Sequence, residues 1–202
     1  DGNAAAFTGE SCLEWAGHVT GPNYTCQGNI LSGEEVVEAM ATTYETTDDD
    51  LTERLLAALE AGQNAGGDRR GQQSAALLVV REGGGYGGMS DRLVDLRGDD
   101  HEKPIEELLR LYQLHQLYFG VTKPASLLKI DGPLARELQD ILNRLGYYDG
   151  PLTGTYDTPT RTALEHWHSI ENFEERLWQE AFIDPEVLAY MRQKTANKPL
   201  QL

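Results

Sequence analysis

Cysteine is scarce in this chain. Its 202 residues hold two, Cys12 and Cys26, and neither sits in a metal-type or Cys-x-x-Cys spacing, so no metal site and no cofactor is expected. The pair is compatible with a disulfide across neighbouring strands or with two reduced, buried thiols. Basic residues are also few, 17 Lys and Arg against 33 Asp and Glu, for a formal net charge of −16. A surface this acidic repels phosphate backbones and anionic lipid, which argues against nucleic acid and membrane as partners. No apolar run approaches the roughly 20 residues that cross a bilayer. No signal peptide is recognisable. The location therefore stays open, with the cytoplasm favoured over the cell envelope. What remains is a globular composition, 40% hydrophobic and 25% charged, long enough for one ordinary domain or two small ones.

The chain reads as two unlike halves. Residues 1–120 alternate strand and helix patterns. "NAAAFTG", "GHVTG" and "NYTCQGN" read as strands, and Ser32 with Glu35 forms a capping-box pattern. Val36, Val37, Met40 and Tyr44 then make one helical stripe. Asp50 caps a second helix through Leu51, Leu55, Leu56 and Leu59, with Gly62 suited to its stop. "SAALLVVRE" is continuously apolar and predicts a strand buried on both faces. "GGGYGG" connects it to the alternating strand "DRLVDLR". Pro104 opens a long helix with apolar residues on two sides. The sum is an α+β arrangement whose first strand has nothing before it to pair with. Residues 121–130 read as a linker. Residues 131–202 read as a small all-α domain, with Leu134, Leu138, Ile141, Leu142 and Leu145 on one helix face. Ala163, Leu164 and Trp167 lie on the next, capped by Asp157 or Thr158.

Two resemblances follow from particular residues. The run "LQDILNRLGYYDGPLTGTYDTPTRTALEHW" resembles the peptidoglycan-binding-domain-like family, through Leu138-Gln139, Leu145 to Gly150, Gly154 to Asp157 and Thr160 to Leu164. It departs from that family at Trp167-His168. The resemblance implies a cell-wall partner, with Tyr147, Tyr148 and Trp167 as its contacts, or else a module that only packs on the first half or joins copies of the chain. The stretches "AAFTGESCLEWAGH", "CQGNIL", "LLAALEAGQNAGGDRRGQQSAALLVV" and "DRLVDLRGDDHEKPIEELLRLYQLHQLYFG" resemble the C-terminal part of the "domain of unknown function 1028" family. That family is assigned to the N-terminal-nucleophile hydrolases. The resemblance implies part of a four-layer αββα sandwich and an amide-bond hydrolase acting on a small amide or peptide. The superfamily's nucleophile is an N-terminal Thr, Ser or Cys, with its own α-amino group as base. Asp1 cannot fill that role, so a nucleophile-bearing half is expected outside this chain, leaving it inactive alone. Assembly with a second copy is also open.

For such a hydrolase, Asn29 is a candidate oxyanion donor, or merely the support of a turn. Asp68, Arg69, Arg70 and Gln73, on a glycine-hinged loop leading into a strand, are the candidate substrate-binding residues. An arginine fork would clamp a carboxylate in two bonds. The alternative is an ion pair that anchors the loop. Ser74 reads as a small strand residue, with no base placed beside it. Asp99, Asp100 and His101 read as a helix-capping run rather than a metal cluster. His166 and His168, two apart on a helix, face different ways.

Overall fold

The structure, a computed structural model, describes residues 2–178 and 180–196. Asp1 and the 197–202 end of the expected helical domain lie outside the described residues. The chain divides into two compact units, residues 1–114 and 115–202. Among the described residues it is a mixed α and β protein, with six α-helices and three two-stranded antiparallel sheets.

In the first unit, β1 (Gly17–Gly21) and β2 (Tyr24–Gly28) form a hairpin with Val19 opposite Cys26. Pro22-Asn23 makes its turn, and Asn23 takes the left-handed conformation that asparagine tolerates (φ 65°). The expected strand at "NAAAFTG" does not form. Those residues are irregular and Phe7 is 88% exposed. Among the described residues no neighbouring strand pairs with it, and an apolar run without a ladder leaves its backbone to water. Cys12 and Cys26 are free thiols, Cys12 exposed and Cys26 buried beside Val37 and Ala41.

Helices α1 (Glu35–Thr46) and α2 (Leu51–Asn64) are joined by a short turn. Val36, Val37 and Ala41 are the buried face of α1, and Thr52, Leu56, Ala58 and Gly62 that of α2. The Asp50 carboxylate accepts the Thr52 and Glu53 N–H groups, as its position predicts. Two expected helix signals are corrected. Ser32 does not cap α1; its hydroxyl instead donates to the Ala65 carbonyl (3.4 Å) and its N–H to Gly67 (3.0 Å). Gly62 does not stop α2. It lies buried inside the helix, where a Cβ would come within 2.7 Å of Met40 Cγ. It is there for close helix packing, and the chain turns only at Gly66 and Gly67, both at positive φ.

Strands β3 (Ala75–Val80) and β4 (Arg92–Gly98) pair with Leu77 opposite Leu96 and Val79 opposite Val94. A 3₁₀ turn at Tyr86–Gly88 lies in the connection between them. Leu77, Val79 and Val94 pack with Leu56 of α2 and with Leu108 and Tyr112 of α3 (Pro104–Phe119). The expectation that β3 is buried on both faces is not met: Leu78 and Val80 are 57% and 62% exposed. Both helices that cover this hairpin lie on its one inner face.

In the second unit, β5 (Leu128–Lys129), inside the stretch read as linker, pairs with β6 (Phe182–Ile183). Helices α4 (Gly132–Leu145), α5 (Thr158–Ile170) and α6 (Pro185–Ala196) enclose a core that includes Leu138, Leu142, Leu164, Trp167, Val187 and Met191. Trp167 stacks on Phe173, and Phe173 on Tyr118. Asp131 caps α4 through Leu134 N–H, and Asp157 caps α5 through Thr160 N–H. Arg176 is buried and donates to Asp184 (2.8 Å), Glu186 (2.9 Å) and the Gln116 carbonyl (2.5 Å). Asp184 in turn accepts the Glu186 N–H that opens α6.

Candidate functional sites, one in each unit

The loop from Ala65 to Ser74 is built by glycine and by cross-strand bonds. After Gly66 and Gly67 turn the chain, Arg69 N–H donates to the Ile30 carbonyl (2.8 Å) and Asp68 bridges Leu31. This ties the loop to the segment just after Asn29. Asp68 then gathers Arg70: its carboxylate accepts the Arg70 N–H (2.8 Å), Nε (3.0 Å) and a terminal guanidinium nitrogen (2.7 Å). The Arg70 side chain, then its backbone N–H, holds the Asp68 carboxyl down to about 2. The carboxylate is charged at any physiological pH.

Beside this pair lies a cleft of about 480 Å³. Asp68, Arg70, Gln73 and Ser74 line it, with Gln63 from α2 and Ile105 from α3. Three of the four residues expected to hold a substrate therefore converge. Arg69 does not join them; its side chain is exposed and does not line the cleft. Asn29 is exposed and does not line it either. The expected free arginine clamp is also absent from this cleft, because the Arg70 fork is already filled by Asp68. What the lining offers is a neutral ion pair, glutamine amides and the Ser74 hydroxyl, a set suited to hydrogen-bonding an uncharged polar group. Nearby, Asp99 pairs with Arg97 (3.0 Å) and His101 Nδ1 accepts Lys103 N–H at the start of α3.

The second unit holds an open notch of about 430 Å³ at the first turn of α4, lined by Gly132, Pro133, Arg136, Thr153 and Gly154. Arg136 is exposed, and among the described residues its guanidinium makes one hydrogen bond, 3.3 Å to the Thr153 carbonyl. Gly154 sits at φ 75°, and a Cβ there would lie 2.9 Å from the Gly132 carbonyl. The notch wall is set by Gln139, which is wholly buried. Its amide nitrogen lies 2.9–3.1 Å from Thr160 Oγ1, Thr155 O and Thr153 Oγ1, and its carbonyl accepts Gly154 N–H (2.9 Å).

The aromatic residues expected to touch a cell wall lie elsewhere. Trp167 is fully buried, and Tyr148 is a core residue whose hydroxyl donates to the Pro151 carbonyl. Neither presents a face to a ligand, because both fill the interior of a small unit. Gly150 leaves room for the Tyr148 ring, and Gly146, at φ 90°, ends α4. Tyr147 is half-buried, edge-on to His166, just beyond the last turn of α4. The notch is at the other end of that 14-residue helix, about 20 Å away by helical rise. Arg136 was not legible as a site residue, since a single exposed arginine on a helix carries no signal. The Leu138-Gln139 pair and Gly154 did stand in the family-like run, and their role is to shape this loop.

A strand-helix unit followed by a small helical unit is the class that these features define. The family described as "Family of unknown function (DUF1028)" matches residues 1–108, and the chain belongs to it. The family described as "Putative peptidoglycan binding domain" matches residues 118–191. A crystal structure of a DUF1028 protein from Silicibacter pomeroyi is similar at 38% identity and a TM-score of 0.50, covering 57% of this chain and 46% of that one. The chain thus spans less than half the length of that relative. No curated protein matches it.

Proposed function

We propose that the chain is a cell-wall-binding protein, whose second unit holds a peptidoglycan peptide at the Arg136 notch. The observation that carries this reading is an exposed guanidinium beside a glycine-floored notch, within a region that matches a peptidoglycan-binding family. Arginine pairs with carboxylates in two parallel bonds, and stem peptides offer carboxylates. Charge agrees with that division of labour. Residues 1–114 carry 21 Asp and Glu against 8 Lys and Arg, whereas residues 115–202 carry 12 against 9. The second unit is the one that an anionic wall repels least. On this reading the protein works at the cell envelope. The test is co-sedimentation of the intact chain with purified peptidoglycan. The intact chain is retained and Arg136→Gln lowers the retained fraction several-fold; equal retention of the two would remove the notch from the account.

A second reading is favoured by the convergence of Asp68, Arg70, Gln73 and Ser74 on one cleft. The first unit would then be part of an amide hydrolase of the N-terminal-nucleophile type, within an αββα sandwich. The cleft would hold the substrate amide by its glutamines and hydroxyl. Asp68→Ala in a complete family protein would raise KM for a hydrolysed amide; release of amine at an unchanged KM would contradict it.

A further inference from the structure

Most arginines of the second unit are tied up inside it. Arg161, Arg176 and Arg192 each meet a carboxylate, and Arg144 donates to the Thr195 carbonyl (3.1 Å). Arg136 differs: among the described residues no carboxylate pairs with it, and its bond to the Thr153 carbonyl holds one end of the guanidinium. A Cβ on Gly154 would lie 3.6 Å from Arg136 Nε, so the group is laid against that glycine. The remaining edge of the fork carries N–H donors and has no acceptor of its own. The notch in front of it is a dead end. Gly132 and Gly154 form its floor, and a Cβ on Gly154 would already be 2.9 Å from the Gly132 carbonyl, so these walls touch and leave no passage between them. Its volume of about 430 Å³ lies at the small end of ligand pockets, a size for the end of a peptide rather than its middle.

We infer that the notch takes the terminal carboxylate of a peptide, and so holds stem peptides that end free and not those joined in a cross-link. This rests on the wall-binding reading above and adds to it which part of the wall is held. A carboxylate presents two acceptors in one plane, and the open edge of Arg136 meets both in parallel bonds. An amide in the same seat offers one acceptor and turns an N–H toward the fork, which leaves a donor facing a donor. Pro133, beside Arg136 in the lining, has no N–H, which leaves the discriminating donors to Arg136. Cross-linking converts a terminal carboxyl into an amide with further chain beyond it. That amide lacks the charge, and the closed floor has no room for the chain.

The experiment titrates the intact chain by calorimetry with N-acetylated peptides of equal length. One ends in alanine with a free carboxylate, and one is the same peptide as its terminal carboxamide. A further carboxamide ends in glutamate, so that its carboxylate is on a side chain. The expected result is binding of the free acid, with either carboxamide weaker by at least about ten-fold, as the loss of a charge-assisted bond pair implies. Arg136→Gln lowers the free acid to the level of the carboxamides. Arg136 is exposed, so circular dichroism of the variant stays as in the unsubstituted chain. No binding of the acid, acid and amide bound alike, a side-chain carboxylate bound as tightly as the terminal one, or acid binding indifferent to Arg136 each overturn the inference. Whole peptidoglycan separates it from the reading beneath it. Wall retained through Arg136, with acid and amide bound alike, keeps the wall reading and removes the end-selective site. Free acid bound through Arg136, with no wall retained, upholds the carboxylate site and removes the wall reading.

Discussion

At the scale of single residues, burial decides what each polar group does. His168 lies inside the second unit with Nδ1 2.8 Å from the Leu164 carbonyl, to which it donates. Burial pushes its pKa below the ordinary histidine value, against the smaller opposing pull of that carbonyl, Asp184 and Glu174. The unfolded chain takes up this proton near pH 6.5 and the folded chain does not until lower pH. Stability is therefore full above about pH 6.5 and falls as the pH drops through that value. Urea midpoints followed by tryptophan fluorescence should decline between pH 7 and 5.5, and His168→Leu should flatten the decline. A midpoint that stays level in the unsubstituted chain would refute this. The sequence separated His166 from His168 by helical spacing, and that geometry holds. It assigned Trp167 and Tyr148 to a ligand, because an aromatic residue in a motif looks the same whether it fills a core or faces a sugar.

At the scale of elements, periodicity was readable and closure was not. The stripes of α1, α2 and α4 and the caps at Asp50 and Asp157 follow from local spacing and hydrogen-bonding rules. The opening strand and the two-sided cover of β3 depend on partners far along the chain, which local pattern does not encode. Gly62 was legible as a breaker only because the chain partner that needs its missing side chain, Met40, is 22 positions away. The loop after α4 shows the same dependence. Gln139 joins Thr153, Gly154, Thr155 and Thr160 through one amide, so Gln139→Leu leaves the half-buried Gly154 N–H without its partner. A loss of about 1–3 kcal/mol follows for such a group. Chemical denaturation should show it, together with weaker retention on peptidoglycan. A stable Gln139→Leu variant that binds normally would mean that the loop is held by other contacts.

At the scale of the whole molecule, two units carry two kinds of chemistry. The first concentrates the negative charge and offers a polar, net-neutral cleft beside an uncovered apolar strand. The second is nearly balanced in charge and offers one exposed arginine over a glycine floor. The division into unlike halves was plain in the sequence, as was the loop that supplies the first cleft. The notch was not, since it is made by residues 132–136 and 153–154 that meet only when Gln139 folds the intervening loop back along α4. The central claim is that this notch binds the wall. It is tested most directly by titrating the intact chain with purified peptidoglycan, beside Arg136→Gln and the β3 variant Leu78→Lys. The account predicts saturable binding that Arg136→Gln weakens at least several-fold and Leu78→Lys leaves unchanged. Binding that is absent, or indifferent to Arg136, would contradict it.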